Sequence, residues 1–353
     1  WHPEIGSSGR SAGSSSAVAA GALPFALGTE TLGSIVSPCS RCGATGIRPT
    51  FGRVPRTGCM ALTWSKDQIG PITRSVGDAW TVLEAISGAD AGDRESVDVP
   101  LVPAAPEALG SFRFGYVPSA FEGEGEIADL DRAALKRIRS LGVQLEEFEL
   151  PELPVGDMLV ILEVEAAAAF DELTRTNRDD ELVRQIENAW PNVFRAAQLV
   201  PAVQYVQAQR ARSVLMQDME AALGDLDGYV TPSFGGPSLA ITNLTGHPAV
   251  VVPHGFREEG TPTSFSFVGR NFHEGAIVAL AEAYQNATEH HRQFPEEDQG
   301  CDNKGNTESD KCSKEPASDH RQYPCDPVYG TFTSPCPVSQ GCSHCNHESH
   351  VCG

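Results

Sequence analysis

The stretch Phe112-Arg113-Phe114-Gly115-Tyr116-Val117, then the segment from Ile127 to Leu141, then Val143-Gln144-Leu145-Glu146-Glu147-Phe148, decides the fold class. The first piece reads as a strand. The second places apolar residues at Ile127, Leu130, Ala134, Ile138 and Leu141, which is helical spacing. The third alternates apolar and polar residues, as a strand with one covered face does. Strand, helix and strand in that order predict a parallel βαβ unit.

The same reading extends in both directions. Upstream, Ser75-Val76-Gly77-Asp78 has the spelling of a capping box, and Ala79, Val82, Leu83 and Ile86 share one face of the helix it opens, which Gly88 closes. The small residues Ala17 to Ala22 suit a helix packed close to its neighbours. Downstream, helices are expected over Leu159 to Thr174 and Ala202 to Leu223, and buried strands at Gly228 to Pro232 and Pro248 to Pro253. Alternating elements predict an α/β protein: an α/β/α sandwich around a mixed, largely parallel sheet.

Composition narrows the function. The chain has 353 residues, 40% of them hydrophobic, and a formal net charge of −21. Such a surface repels nucleic-acid phosphates and anionic membranes, so neither is expected as a partner. No apolar run approaches the roughly 18 residues of a membrane-spanning helix. A small-molecule substrate is expected instead. A homodimer is compatible with this reading, and the cytoplasm is slightly favoured over other compartments. The chain begins at Trp1 rather than Met and opens directly into Gly/Ser-rich text. The expectation is that an amino-terminal segment, with any targeting signal, is missing.

Cysteine usage divides the chain. Cys39, Cys42 and Cys59 lie early, while Cys301, Cys312, Cys325, Cys336, Cys342, Cys345 and Cys352 lie in the last 53 residues. From Glu296 onward acids outnumber bases ten to four and apolar periodicity is lost. Two regions are therefore expected: a folded domain over residues 1–296 and an irregular, Cys-rich tail over 297–353. The cluster Cys342, Cys345, His347, His350 and Cys352 is a weak candidate for tetrahedral zinc. Disulfides are a further reading, and an incidental extension without selected structure ranks ahead of both. No cofactor is expected.

Three blocks carry chemistry: Gly9-Arg10-Ser11-Ala12-Gly13-Ser14, Leu27-Gly28-Thr29-Glu30-Thr31-Leu32-Gly33-Ser34-Ile35, and the stretch from Cys42 to Val54 that contains Arg48-Pro49-Thr50. Further blocks follow at Ser65-Lys66-Asp67-Gln68-Ile69-Gly70-Pro71, at Leu244 to Ala249 and at Gly255 to Pro262. Any one Gly/Ser-rich piece alone would read as a linker. In this order the blocks resemble the amidase signature family, over about residues 1–295, as the carboxy-terminal two-thirds of such an enzyme.

The resemblance implies the amidase-signature fold, with the Gly/Ser turn of Ser34 at the sheet's edge. It also implies a Ser, cis-Ser, Lys site that cleaves a carboxylic amide C–N bond through an acyl-enzyme. Ser34 matches the nucleophile, and the backbone N–H groups around Thr31, Leu32 and Gly33 match an oxyanion hole. The bridging serine of the family falls 24 positions earlier, on Arg10, with Ser11 beside it; Ser8 or Ser11 could take the role only through an insertion or deletion. The family's lysine falls upstream of residue 1. A guanidinium stays protonated and cannot relay a proton as a hydroxyl does, so the chain as written is expected to be a poor catalyst or none. Two alternatives stay open: a non-catalytic amidase-like protein and a tRNA amidotransferase A-type subunit. The segments Val160–Leu199 and Ser233–Thr242 are the expected walls of the substrate pocket.

The remaining signals have plainer readings. Cys39-Ser40-Arg41-Cys42 is expected to be a pair of packed thiols, and His247 a packed or hydrogen-bonded histidine rather than a base. Asn243-Leu244-Thr245 and Asn286-Ala287-Thr288 spell glycosylation sequons and decide no compartment.

Overall fold

The structure, a computed structural model, describes residues 1–2 and 5–295. The tail over 297–353, with its Cys/His cluster, lies outside the described residues. Among these the strands are β1 (Phe25–Glu30), β2 (Thr45–Arg48), β3 (Gln68–Thr73), β4 (Arg113–Tyr116), β5 (Gln144–Glu147), β6 (Gly228–Pro232), β7 (Ala249–Phe256) and β8 (Pro262–Gly269). The first helices are α1 (Ala12–Ala19), α2 (Val36–Cys42), α3 (Val76–Ile86) and α4 (Glu126–Ser140). After β5 come α5 (Val155–Met158), α6 (Val160–Ala169), α7 (Asp171–Arg175), α8 (Trp190–Ala197) and α9 (Ala202–Leu223). The last two are α10 (Ser238–Thr245) and α11 (Glu274–Thr288).

The eight strands form one sheet in the order β1-β3-β2-β7-β8-β6-β4-β5. The βαβ unit is present: β4 and β5 pair in parallel, Phe114 opposite Leu145, with α4 between them in sequence. β4 also pairs in parallel with β6. The sheet is mixed, as expected, but its parallel part stops there; the other five pairings are antiparallel. The expectation of a largely parallel sheet is corrected on this point. β7 and β8 show the cause. Between Phe256 and Pro262 the chain turns back within a few residues, Arg257 N donating to Thr261 O and Gly260 N to Arg257 O. So short a connection can join only antiparallel strands.

Alternation along the strands feeds two faces. Val250 and Val252 of β7, with Phe265 and Phe267 of β8, pack with Leu83 of α3, Ile138 of α4 and Leu280 of α11. Ala249 and Val268 face the other way, with Leu215 and Met219 of α9 and Ile241 and Leu244 of α10. Val251 joins Val18, Ile35 and Cys39 under α1 and α2. Helices therefore cover both faces, the sandwich the sequence predicts.

Local signals fare unevenly. Ser75 caps α3, its side chain accepting from Asp78 N at 3.1 Å, as expected. The C-cap of α3 is Ser87, one residue before the expected Gly88. α9 spans the residues expected of it. The Ala-rich helix is α1, which starts earlier and ends at Ala19. The helix expected over Leu159 to Thr174 is broken into α6 and α7 at Phe170, whose φ of −110° and ψ of 22° leave the helical range. Its ring stacks on Phe194 of α8 at 5.0 Å, a contact between two distant segments that helical periodicity does not encode. No helix among the described residues is long and apolar enough to cross a membrane.

Candidate active site

Ser34 lies in the turn that carries the chain from β1, the sheet's edge strand, into α2, and it keeps 8% of its surface exposed. Gly33 makes the turn passable: its φ is +92°, and a Cβ placed on it would stand 3.0 Å from Leu239 Cδ2 of α10. A glycine is needed there for both reasons.

The turn is fastened from beneath by Glu30, the buried last residue of β1. Its Oε2 accepts the N–H groups of Ile35 at 2.7 Å and Val36 at 2.9 Å. Its Oε1 accepts Arg48 Nη1 at 2.7 Å and Asn243 Nδ2 at 3.0 Å. The carboxylate thus satisfies amides at the start of α2 that would otherwise be orphaned, and Arg48 neutralises it. Arg48 in turn donates through Nη2 to His247 O at 2.9 Å. With Ile35 and Val36 engaged, the N–H groups left over belong to the turn itself. Among the described residues, those of Leu32, Gly33 and Ser34 donate to no backbone acceptor outside the helices and strands.

Thr31 is held from the side: its hydroxyl donates to Asp67 Oδ1, and Asp67 Oδ2 accepts Leu62 N at 2.7 Å and Thr63 N at 3.0 Å. Next to Asp67 stands Lys66, buried, its Nζ without a hydrogen-bond partner. Burial, helped by the charge of Arg212, pushes its amine down to about 8, while Glu165 and Asp67 oppose the shift. Glu165 binds the neighbouring Ser65 through N at 3.0 Å and Oγ at 2.7 Å, and also accepts from Tyr205 and Gln209.

The Gly9-Arg10-Ser11 block meets the Ser34 turn, as its place in the resemblance requires, but its side chains diverge. Gly9 lies against Ser34, where an added Cβ would come within 3.2 Å of Ser34 Cα and 2.9 Å of Pro38 Cδ. Arg10 is exposed, and its guanidinium carbon stands 5.8 Å from the ring centre of Trp190 at the start of α8. Ser11 turns inward instead, donating to Thr29 O at 3.2 Å and accepting Thr29 N at 3.0 Å, which ties α1 to β1. Ser8 Oγ accepts from Ser37 Oγ at 2.7 Å. No peptide bond among the described residues is cis, in contrast to the bond implied at the bridging position.

Both expected wall segments come close to the turn. Leu239 abuts Gly33, and Leu32 packs in one cluster with Leu162 and Phe194, with Trp190 and Ala240 against it. Cys39 and Cys42 are buried free thiols, each beside a serine hydroxyl, and burial raises both. His247 is buried with Nδ1 2.7 Å from Thr245 Oγ1, and burial pushes it down to about 4, so it is neutral near pH 7. Asn243, the first sequon residue, is buried, whereas Asn286 is exposed. Among the described residues no three His, Cys, Asp or Glu side chains could together hold a metal ion.

Sequence reasoning gave no role to Glu30, Lys66, Glu165 or Arg48. Charged residues are usually at the surface, and the one signal that could have found them was that Glu30, Arg48 and Lys66 lie inside the ordered blocks.

A family model described as Amidase matches residues 1–278. The A-type subunit of glutamyl-tRNA(Gln) amidotransferase from Bacillus licheniformis is 34% identical over 342 aligned residues, covering 84% of this chain and 70% of the relative. An amidase family protein from Bacillus anthracis superposes with a TM-score of 0.71 at 26% identity, covering 80% of this chain and 61% of that one. The peptide amidase from Stenotrophomonas maltophilia gives 0.68 at 27%, covering 80% and 66%. The chain thus spans less than two thirds of these two solved structures.

Proposed function

The chain belongs to the amidase family, and on that premise we propose that it is built to cleave a carboxylic amide C–N bond through an acyl-enzyme on Ser34. The observation that carries this reading is the turn around Ser34: a hydroxyl on a glycine-dependent bend, with the N–H groups of Leu32, Gly33 and Ser34 not engaged by backbone beyond it. In the proposed reaction Ser34 Oγ attacks the carbonyl carbon and the developing oxyanion turns toward those N–H groups. The C–N bond then breaks, the amine leaves with a proton, and water releases the acid from the ester on Ser34. The apolar wall of Leu239, Trp190 and Leu32 suits an uncharged acyl portion.

The step this chain serves poorly is removal of the serine proton. Arg10 holds the position where the family's bridging hydroxyl is expected, and a guanidinium has no lone pair to accept that proton. Activity of the chain as written is therefore expected near background.

A second reading, an amidotransferase A-type subunit, is favoured by the 34% identity to the Bacillus licheniformis relative. It uses the same serine and differs in what receives the released nitrogen.

A fluorophosphonate probe tests the shared premise. In an Arg10→Ser chain joined to the amino-terminal segment of that relative, an adduct on Ser34 that disappears in Ser34→Ala is the expected result. No adduct on Ser34 would overturn the enzyme reading and leave a non-catalytic member of the family.

A further inference from the structure

Arg48 uses two of its three guanidinium nitrogens, Nη1 on Glu30 and Nη2 on His247 O, while its Nε is fully buried and finds no protein acceptor. A buried N–H of a charged group left without a partner is costly. Arg48 also lines a small cavity beneath the Ser34 turn, bounded by Val36 and Leu239 on one side and by Thr231, Ser233 and Ser266 on the other.

The hydroxyls opposite Arg48 contain a proton that the protein does not place. Ser264 Oγ donates to Ser233 Oγ at 2.7 Å, and Ser233 and Ser266 share a hydrogen bond at 2.8 Å. Three hydroxyls make two bonds. Whichever of Ser233 and Ser266 accepts the hydrogen bond between them keeps its own O–H with no protein acceptor, and both line the cavity. Thr231 Oγ1 donates to Pro232 O at 3.2 Å, leaving its oxygen free to accept. The cavity is therefore supplied with donors from two sides and an acceptor on a third.

Its volume is about 10 Å³, measured to the centres of water-sized spheres. By that measure one water needs roughly 10–15 Å³. A carboxylate or phosphate is too large, and the guanidinium excludes a cation. We propose that one ordered water occupies this cavity, accepting from Arg48 Nε and from whichever of Ser233 and Ser266 keeps the unplaced proton, and donating to Thr231 Oγ1. The water links the Arg48–Glu30 anchor of α2 to β6 and β8, which approach it from the opposite side of the cavity.

A crystal structure at a resolution that shows ordered waters tests this, paired with a bromide soak. The expected result is a single peak about 2.7–3.2 Å from Arg48 Nε, present without bromide and without anomalous signal after soaking. In Thr231→Val, which keeps the shape and removes the acceptor, the peak should lose occupancy. An empty cavity, an Arg48 Nε that meets a protein oxygen instead, or an anomalous bromide peak at the site would each overturn the assignment, the last in favour of a halide.

Discussion

Glu30 and Arg48 form a fully buried ion pair at 2.7 Å, and the same carboxylate holds the first amides of the helix that follows the candidate nucleophile. Removing one partner of such a pair leaves an uncompensated buried charge, at a cost of about 3–5 kcal/mol. Glu30→Gln should therefore lower the urea midpoint sharply, because Arg48 is left without its counter-charge. The double variant Glu30→Gln, Arg48→Met should recover part of the loss. A single-variant loss no larger than that of a surface Glu→Gln change would show that the pair does not hold the turn.

Arg10 is the second test. In the chain joined to a relative's amino-terminal segment, amide hydrolysis should stay near background with Arg10 and rise on the order of 10²–10⁴-fold in Arg10→Ser, the range that proton transfer contributes in such sites. Ser11→Ala should act differently. Its hydroxyl joins α1 to β1 through Thr29, so it should cost stability, about 2 kcal/mol for two lost hydrogen bonds of ordinary strength. Equal hydrolysis by the joined chain with and without Arg10→Ser would place position 10 outside the proton path.

Gly33 sets the shape of the turn. Alanine there must adopt φ near +92° and meets Leu239 Cδ2 at 3.0 Å. The backbone penalty alone is about 1–2 kcal/mol. In the joined Arg10→Ser chain, Gly33→Ala should lose Ser34 labelling together with stability, and Gly33→Ala, Leu239→Ala should return only the steric part. A double-mutant cycle in denaturant reads the two contributions separately.

Lys66 predicts a pH dependence with a definite sign. Its amine is pushed down to about 8 in the folded chain from an ordinary 10.5. Below pH 8 both states carry the proton, and the folded state bears the full penalty of a buried charge. Above 10.5 neither does and the penalty is gone. Stability contributed through Lys66 should therefore rise between about pH 8 and 10.5, by at most about 3 kcal/mol. Cysteine and tyrosine titrate in the same window, so the quantity to measure is the difference between the wild type and Lys66→Met. A difference that stays flat across the window would show that Lys66 is not buried as described.

How far the sequence revealed this molecule depends on the range of the interaction involved. The βαβ unit of β4, α4 and β5 was legible because its periodicities are local, and α9 because 22 residues of helical text run uninterrupted between Pro201 and Gly224. The break at Phe170 was not legible, since the contact that goes with it, stacking on Phe194, lies in another helix. Antiparallel pairing of β2 with β7 was equally hidden: Ile47 meets Val250 across some two hundred residues. In the site, Ser34 and the glycine before it stood out as a turn, and the Gly9-Arg10-Ser11 block was placed beside it. Glu30 and Lys66 carry charges that composition assigns to the surface, and only the folded chain shows what they meet.

The Glu30 anchor also has a consequence for the order of events during synthesis. Its partner Asn243 lies 213 positions further along, and the Arg48 contact to His247 spans 199. The bend that presents Ser34 thus depends on residues that leave the ribosome long after it does. Contacts of such separation form late, once the loop they close has been paid for in entropy. A nascent chain should therefore carry Ser34 on an unformed bend until α10 and β7 dock. In the Arg10→Ser chain joined to a relative's amino-terminal segment, probe labelling of Ser34 in chains ending before residue 235, compared with chains reaching residue 295, measures this directly; equal, non-zero labelling would show that the bend assembles without its distant anchor.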